Sequence, residues 1–385
     1  MTIFRSRQEF EQEEVRGLAC FASLSIDAME RVFEESPHAY RTAFQRDRDR
    51  VIHARAFRRL EYKTQVFVHH EGDHYRNRLT HTLEGAQIAR TLARALRLNE
   101  DLAEAVTLAH DLGHTPFGHA GERVLAGLME PHGGFDHNRQ SVRVVDWIER
   151  RHPDYRGLNL AGDTRAGMLK HGADWDHPVP LPPAMPQLPL EAQVADLADE
   201  VAYMNHDLDD GLREGVLALE QLQSLTLWRE ASDRISGRMR SAKPAVHRQQ
   251  TISALIDGLV TDAIEASASR LETAAPTTSE AARRCDRRLV AFSESRRIAK
   301  LELKRFLLEN FYHHPRVRRM TQQAESIVGD LFRVYRETPA LLPENASGRL
   351  EEEGPERAIA DHIACMTDRY AQAEHQKLLD PHAAI

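Results

Sequence analysis

Hydrophobic side chains recur at the spacing of an amphipathic helix between residues 82 and 98. The apolar positions fall mostly at four-residue steps, with arginines placed outward between them: Leu83, Ile88, Leu92 and Leu96 against Arg90, Arg94 and Arg97. Asn99 then caps a second helix, because Glu100 and Asp101 occupy the first turn, where the helix dipole favours carboxylates. We therefore predict two consecutive helices, the second of which runs straight into His110.

Helical patterns continue through most of the chain, and no long stretch alternates between polar and apolar residues as a β-strand would. One further helix is expected over Asn138–Arg151. Residues 173–191 contain too many prolines for a regular element, and a strongly helical segment follows over residues 190–215. Later helices are expected to break near residues 275–278 and 338–354. We predict an all-α fold.

Composition excludes several classes of protein. The chain has 385 residues, a net charge of -8 and a pI near 6.2, which argues against a broad nucleic-acid surface. No apolar run approaches the roughly 20 residues that a membrane span needs, and the N-terminal stretch lacks the apolar region of a signal peptide. Cys20, Cys285 and Cys365 are far apart and indicate reduced thiols. We expect a cytoplasmic protein without a membrane or nucleic-acid partner.

The run RDRDRVIHARAFRRL at residues 46–60 concentrates positive charge inside an acidic chain. Two interpretations are open, a solvated helix face and a local pocket for a compact polyanion. For Arg58, Arg59 and Lys63 the two interpretations are surface charge and a functional role. The chain contains neither a P-loop sequence nor a GxGxxG segment that opens a helix after a strand. Any nucleotide must therefore bind without these two motifs.

Three histidines, an aspartate and a glutamate crowd into AHDLGHTPFGHAGE, residues 109–122. The glycines and the proline of this segment predict a turn between two helices, so that imidazoles on both sides can face one ligand. His110 and Asp111 end the first of these helices, and His81 begins the helix before it. A helical hairpin can bring the three side chains together. Imidazoles and carboxylates that converge from several helices are typical of a divalent metal site.

Another carboxylate for this site is expected from VADLADEVAYMNHDLDD, residues 194–210. Asp199, Tyr203 and Asp207 stand at positions i, i+4 and i+8, so they form one stripe on a helix face. Asp196 lies next to the stripe. Spacing alone does not decide between Asp196 and Asp199 as the metal ligand.

Four motifs surround these positions: RLTH (Arg78–His81), HDLGHTPFGHAGE (His110–Glu122), FDHNRQSVR (Phe135–Arg143) and ADLADEVAYMNHDLDDGL (Ala195–Leu212). Together they resemble the HD-domain deoxynucleoside triphosphate triphosphohydrolases, and most closely the bacterial dGTPase-like branch. The similarity extends to YRTAFQRDRDRVIHARAFRRLEYKTQVF, LKRFLLENFYHHP and MTDRYA, and so covers nearly the whole chain. It implies an N-terminal arm with the Arg-rich segment (1–74), an HD metal-dependent phosphohydrolase core (75–212) and a helical C-terminal region (213–385).

The resemblance also implies a role for individual residues. It favours Asp199 over Asp196, and it gives the second HD dipeptide, His206–Asp207, no role as a metal pair. It implies that the phosphates are contacted by Arg78, His114 and His137. It also implies that the deoxyribose lies against Tyr203 and Asp207. The implied metal ligands are His81, His110, Asp111 and Asp199, and the implied catalytic pair is His119 with its carboxylate partner Glu122.

The activity implied by the resemblance is metal-dependent hydrolysis of a deoxynucleoside triphosphate (dNTP), dGTP or dNTPs generally, to deoxynucleoside and inorganic triphosphate. One divalent ion per chain is expected, Mg²⁺ or Mn²⁺. The resemblance further implies a homo-oligomer, a tetramer or hexamer, and allows an allosteric dNTP at a subunit interface. It leaves the preferred base open, and the His/Asp ligand set suits several divalent ions.

Two other functions compete with this one. The first is another HD phosphohydrolase, either an alarmone hydrolase or a nucleotide phosphodiesterase. Alarmone hydrolases typically carry an acidic pair where this chain has Gly113 and His114, whereas a two-metal phosphodiesterase could use His114 and His137 as ligands. The second is a non-catalytic nucleotide sensor. Such proteins usually lose a metal ligand, and none is missing here.

Overall fold

The computed structural model describes residues 3–65, 76–169, 175–237 and 243–380, and every regular element in these ranges is helical. The first half contains α1 (Arg7–Gly17), α2 (Ala43–Ile52), α3 (Arg55–Arg59), α4 (Arg78–Ala95), α5 (Glu100–Ala109), α6 (His119–Met129), α7 (His137–Arg143), α8 (Gly162–Met168) and α9 (Leu190–Arg213). The second half contains α10 (Leu219–Leu222), α11 (Thr226–Ser236), α12 (Pro244–Ala274), α13 (Ser279–Arg283), α14 (Glu294–Leu307), α15 (Pro315–Glu337), α16 (Glu344–Ser347), α17 (Leu350–Glu353), α18 (Pro355–Ala364) and α19 (Asp368–Leu379). The predicted all-α fold is confirmed.

Short 3₁₀ and π segments connect or extend these helices. The 3₁₀ turns are Ser25–Asp27, Leu60–Tyr62, Glu130–His132 and Pro339–Leu341, and the π segments are Val144–Ile148 and Leu308–Tyr312. The two π segments directly continue α7 and α14. The second of them carries a tyrosine into the candidate site.

Side-chain caps define the two helices predicted first. Asn99 caps α5, since its Oδ1 accepts hydrogen bonds from the N–H groups of Asp101 at 3.1 Å and Leu102 at 3.2 Å. Helix α4 begins earlier than its hydrophobic pattern, because Asn77 Oδ1 accepts from the Thr80 N–H at 2.9 Å. The earlier start places His81 within the first turn of α4.

One residue of the predicted apolar stripe is wrongly placed. Ile88, Leu92 and Leu96 are buried as expected, but Leu83 is 51% exposed. The reason is the five-residue step between Leu83 and Ile88, which turns the side chain by about 140° around the helix. The stripe therefore begins at Ile88.

The later boundaries agree with the sequence in part. The break predicted at residues 275–278 separates α12 from α13. The helix expected over Asn138–Arg151 is α7 and its π extension, which end at Ile148, so the predicted end was three residues too late. Residues 175–189 contain no helix, as predicted, whereas 173 and 174 lie outside the described residues. The break predicted at residues 338–354 was wrong in part, because the short helices α16 and α17 lie within it.

Helices α4, α5 and α9 pack against one another at the centre of the N-terminal part of the chain. Ile88 and Leu92 of α4 and Val201 of α9 belong to a large buried cluster that extends to α11, α12 and α14. A second cluster joins α6 to α15, α18 and α19 of the C-terminal region. The candidate site lies where these two packing units meet, so both of them position its side chains.

Several arginines of the Arg-rich segment are partly buried and form ion pairs with carboxylates. Arg46 Nη2 lies 2.5 Å from Glu35, Arg50 contacts the same carboxylate, and Arg48 Nη1 lies 2.7 Å from Asp101. These ion pairs fix α2 against neighbouring elements. None of the helices that the structure describes combines the length and the apolar character that crossing a bilayer would require.

Candidate active site

Three side chains from three helical segments converge where the sequence predicts a metal site. His81 comes from α4, His110 follows the last residue of α5, and Asp199 lies on α9. Asp199 Oδ1 lies 3.0 Å from His81 Nε2 and 3.4 Å from His110 Nε2. The three ligand atoms all lie within 4.8 Å of one another, and both imidazoles are buried. This group, which we call the metal-ligand group, could hold one divalent ion.

The backbone orients His110 for this purpose. Its Nδ1 donates a hydrogen bond to the carbonyl oxygen of Thr107 in the last turn of α5. In a neutral imidazole the other nitrogen then carries the lone pair, which here is the Nε2 that faces His81 and Asp199. His110 is therefore held in the tautomer that a metal ligand needs.

Asp111 lies beside the metal-ligand group and connects it to further polar side chains. Its Oδ1 lies 3.1 Å from both His110 Nε2 and His114 Nε2. Its Oδ2 lies 4.0 Å from His81 Nε2 and accepts a hydrogen bond from Arg78 Nη1 at 2.9 Å. Burial by itself raises the pKa of Asp111, but electrostatic interactions with His110, His114 and Arg78 hold that pKa well below its ordinary value. An ionised carboxylate at this position suits a cation.

The two candidate aspartates of α9 have different partners. Asp199 faces His81 and His110, whereas Asp196 Oδ2 accepts a hydrogen bond from Arg288 Nη2 at 2.6 Å. The structure thus brings Asp199, and not Asp196, to the metal-ligand group.

A second cluster of histidines surrounds Glu122 on the other side of Asp111. Glu122 Oε2 accepts from His119 Nδ1 at 3.1 Å, and Oε1 accepts from His137 Nδ1 at 2.7 Å and from the His137 N–H at 3.0 Å. Burial raises the pKa of Glu122, but the hydrogen bonds from His119 and His137 and the electrostatic interactions with His137 and His114 together hold that pKa well below its ordinary value, so the carboxylate is ionised. Each imidazole is therefore held by Nδ1 with its Nε2 directed elsewhere.

His114 connects the two clusters. Its ring stacks on that of His137 with centroids 4.1 Å apart, and its Nε2 lies 3.1 Å from Asp111. Burial, Arg78 and His137 hold the pKa of His114 well below its ordinary value, so this imidazole is neutral. Its Nδ1 is buried without a hydrogen-bond partner among the described residues. A polar ligand atom could contact it there.

The glycine-rich turn between α5 and α6 is shaped by close approach and by unusual backbone angles. A Cβ on Gly113 would lie 2.1 Å from the backbone nitrogen of Ser141, so only glycine fits there. Phe117 and Gly118 both have positive φ, 61° and 55°, and His119 then begins α6. This turn presents His119, whose side chain is 70% exposed, toward solvent beside the buried histidines.

Lys63 is fully buried, and the surface-charge interpretation of this residue was wrong. Its ammonium group donates hydrogen bonds to the carbonyl oxygens of His114 and, at 2.8 Å, of Ala364 in α18. Burial and the neighbouring Arg59 lower the pKa of Lys63 to about 7. Arg58 is exposed. Lys63 therefore joins the backbone of the glycine-rich turn to the C-terminal region.

The far end of the stripe on α9 is buried and acidic. Asp207 is fully buried and accepts a hydrogen bond from the hydroxyl group of Tyr312. Burial raises the pKa of Asp207 to about 7. The ring of Tyr203 lies under the ammonium group of Lys304, 5.5 Å from its centroid.

Several residues of the site received no role there from the sequence. His206 contacts both His81 and Glu84, Tyr312 contacts Asp207, and Lys63 and Asp368 hold the turn before His119. The last three stand in segments that resemble the family outside its HD core, and that resemblance was the one signal available for them.

Comparison with known proteins agrees with this arrangement. The HD domain family matches residues 78–204, and the phosphohydrolase-associated domain family matches residues 290–377. A deoxyguanosinetriphosphate triphosphohydrolase-like protein of Geobacter metallireducens is 47% identical over 98% of this chain and 99% of its own length. Proteins with the same name from Ralstonia nicotianae and Leptospira interrogans are 50% and 43% identical, over 94% and 98% of this chain and 94% and 100% of their own lengths.

The matched HD domain contains every member of the metal-ligand group, and an HD domain implies that a divalent metal is bound. The similarity to the named relatives extends over nearly the full chain, including the C-terminal helices that hold the turn before His119. This chain therefore belongs to the deoxyguanosinetriphosphate triphosphohydrolase-like family of HD-domain enzymes.

Proposed function

We propose that this protein hydrolyses deoxynucleoside triphosphates to deoxynucleoside and inorganic triphosphate. The observation that carries the proposal is the position of Asp111. One of its oxygens faces His110 and His114, and the other faces Arg78 and His81. One carboxylate is therefore shared by a metal-ligand group and a cluster of side chains that could contact phosphate, which supports hydrolysis at a metal-bound phosphate.

His81, His110, Asp111 and Asp199 would hold one divalent ion, Mg²⁺ or Mn²⁺. When bound, such an ion polarises a phosphate oxygen and lowers the pKa of a water molecule. Arg78 and the histidines around Glu122 add hydrogen-bond donors for a triphosphate that carries about four negative charges.

His119 is the proposed general acid. Attack of water on the α-phosphorus forms a new P–O bond and breaks the bond between that phosphorus and the deoxyribose 5′-oxygen. The departing oxygen needs a proton, because an alkoxide is a poor leaving group. The step requires the imidazolium form of His119, in which Nδ1–H stays on Glu122 at 3.1 Å while the opposite nitrogen, Nε2, gives its proton to the 5′-oxygen. His119 lies at the exposed side of the site, where the nucleoside can leave.

The sugar is proposed to lie along α9. Tyr203 offers a ring face to the deoxyribose, and the buried Asp207 offers a carboxyl group to the 3′-hydroxyl. Tyr312 already donates to Asp207, so it would orient that carboxyl group for the sugar. A buried polar pocket rejects a substrate that leaves its groups unpaired.

Product analysis tests this function directly. We expect dGTP, incubated with the protein and Mg²⁺ or Mn²⁺, to give deoxyguanosine and triphosphate as first products, and the other dNTPs should be compared in parallel. In H₂¹⁸O the label should enter the triphosphate, since the α-phosphorus is attacked. Initial release of dGMP with pyrophosphate, or of dGDP with phosphate, would contradict the proposal.

One observation supports a second candidate, a two-metal phosphodiesterase. His114, Glu122 and His137 could also hold a metal ion among the described residues. Mass spectrometry of the metal content distinguishes the two functions. One ion per chain supports the triphosphohydrolase, and two ions per chain support the phosphodiesterase.

We further propose a cytoplasmic homo-oligomer, a tetramer or hexamer, in which a second dNTP binds as an allosteric ligand. The proposed division into an arm, an HD core and a helical C-terminal region places one boundary at 74–75, outside the described residues. The other boundary, at 212–213, falls one residue before the end of α9. Light scattering with and without dGTP tests the assembly.

A further inference from the structure

His81 contacts two positions of α9 at once. Its Nε2 lies 3.0 Å from Asp199 Oδ1, and its Nδ1 lies 3.1 Å from Nδ1 of His206. Asp199 and His206 are seven residues apart, about two helical turns, so they stand almost in line on the helix surface. The second HD dipeptide of the sequence, His206–Asp207, thus reaches the metal-ligand group through its histidine.

His206 in turn contacts a carboxylate from the helix that carries His81. Its Nε2 donates to Glu84 Oε2, and Glu84 stands three residues after His81 on α4. The imidazoles of His81 and His206 meet nearly at right angles, with an interplanar angle of 83°. The hydrogen bonds therefore form a continuous series from Glu84 through His206 to His81.

The direction of these hydrogen bonds decides whether His81 can bind a metal. A metal requires the lone pair of Nε2, so the proton of a neutral His81 must lie on Nδ1. That N–H needs an acceptor, and the partner of Nδ1 is Nδ1 of His206. His206 can accept only if its own proton lies on Nε2, which is the nitrogen that faces the Glu84 carboxylate.

The two histidines of the metal-ligand group are thus oriented in different ways. The acceptor for His110 Nδ1 is a backbone carbonyl of α5, which substitution of side chains does not remove. The acceptor for His81 is a side chain, supported by the half-exposed carboxylate of Glu84 and its neighbour Arg76 at 3.4 Å. Removal of such a hydrogen-bond partner typically lowers metal affinity about 10–100-fold.

We propose that His206 and Glu84 are positioning residues that hold His81 in its metal-binding tautomer. The inference rests on the proposed function in one respect, that His81 is a ligand of the divalent ion. It adds that the histidine of the second HD dipeptide serves the metal, while its neighbour Asp207 faces the sugar pocket.

Manganese binding to the metal-stripped full chain, followed by electron paramagnetic resonance, tests the proposal without any nucleotide. His206→Phe keeps a ring but removes both nitrogens, and we expect Mn²⁺ affinity to fall about 10–100-fold. His206→Asn places an amide oxygen near the position of Nδ1, so it should retain most of the affinity. If His206 only filled space in the core, the Phe variant would bind Mn²⁺ more tightly than the Asn variant, which is the opposite order.

Glu84→Ala provides an independent variant, because its half-exposed side chain can be removed without opening the core. We expect a smaller loss of Mn²⁺ affinity than for His206→Phe. The matched control is Glu100→Ala. It removes a partly exposed glutamate at the start of α5, which pairs with Arg94 of α4 at 2.6 Å. This control should bind Mn²⁺ like the wild type. Melting temperatures without metal verify that each variant is folded.

Wild-type Mn²⁺ affinity in both His206→Phe and Glu84→Ala would overturn the proposal. So would an Asn variant as weak as the Phe variant, or a His81→Ala protein that still binds Mn²⁺ fully. Failure of the proposed function looks different. The wild type would then bind Mn²⁺ through His81 and respond to these substitutions, but it would hydrolyse no dNTP.

Discussion

The carboxylate of Asp368, at the start of α19, accepts a hydrogen bond from the backbone N–H of Phe117 at 2.8 Å. The two residues are 251 positions apart. Phe117 has φ of 61°, which a non-glycine residue rarely adopts, and it lies two residues before His119. The other oxygen of Asp368 accepts from the backbone and the hydroxyl group of Thr64. The C-terminal region thus holds the turn that presents the proposed general acid.

Asp368→Ala should therefore lower kcat for dGTP hydrolysis, by up to ~100-fold, because small displacements of a catalytic group are costly. Mn²⁺ affinity should stay close to that of the wild type, since the hydrogen bonds of Asp368 hold Thr64 and Phe117. Lys377→Ala, an exposed substitution on the same helix, is the control. If folded Asp368→Ala protein has the kcat of the wild type, the turn keeps its geometry without Asp368.

The buried Lys63 should make stability depend on pH. Its pKa is lowered to about 7 in the folded protein, below the ordinary value of about 10.4 for a lysine in the unfolded chain. The unfolded state therefore binds more protons between these values. The destabilisation is complete below pH 7 and diminishes as pH rises, by ~1.4 kcal/mol per pH unit.

Lys63→Met removes this group, so its free energy of unfolding should rise less steeply between pH 7.5 and 9.5 than that of the wild type. Urea denaturation at several pH values measures the difference, and Lys377→Met controls for an exposed lysine. Parallel curves for the wild type and Lys63→Met would mean that the buried lysine titrates as it does in the unfolded chain.

The two aspartates of α9 should differ in metal binding. Asp199→Ala removes an oxygen that lies 3.0 Å from His81 and 3.4 Å from His110, so the protein should lose its divalent ion. Asp196→Ala removes only a carboxylate that pairs with Arg288 and should leave the metal content near that of the wild type. Metal analysis after gel filtration compares them. Equal losses of metal in the two variants would contradict the assignment of Asp199 to the helix face at the metal site.

Selection against ribonucleotides should depend on Tyr203. If its ring lies beneath the sugar, a 2′-hydroxyl would be buried there without a partner, at a cost of roughly 1–3 kcal/mol. Tyr203→Ala should reduce the preference for dGTP over GTP by about one to two orders of magnitude with little loss of metal. Asp207→Ala should instead raise KM for every dNTP. Full dGTP preference in Tyr203→Ala would place sugar selection elsewhere.

Local sequence was sufficient for the elements around the site. Asn99 and the periodic apolar residues predicted α5, and the glycines before His119 predicted a turn followed by α6. Caps, turns and helical periodicity depend on neighbours within about four residues, so they can be read along the chain. The same spacing placed Asp199, Tyr203 and Asp207 on one stripe. The resemblance then supplied roles for these side chains that spacing could not.

Tertiary packing decided what the side chains contact. The sequence by itself determined an all-α chain with a His/Asp cluster, but it left Asp196 and Asp199 equivalent by spacing and allowed Lys63 to be a surface charge. Contacts between residues far apart in the chain settle such points, since burial and hydrogen-bond partners depend on which helices meet. Lys63 is buried because α18 covers it, and Asp199 faces His81 because α4 packs on α9.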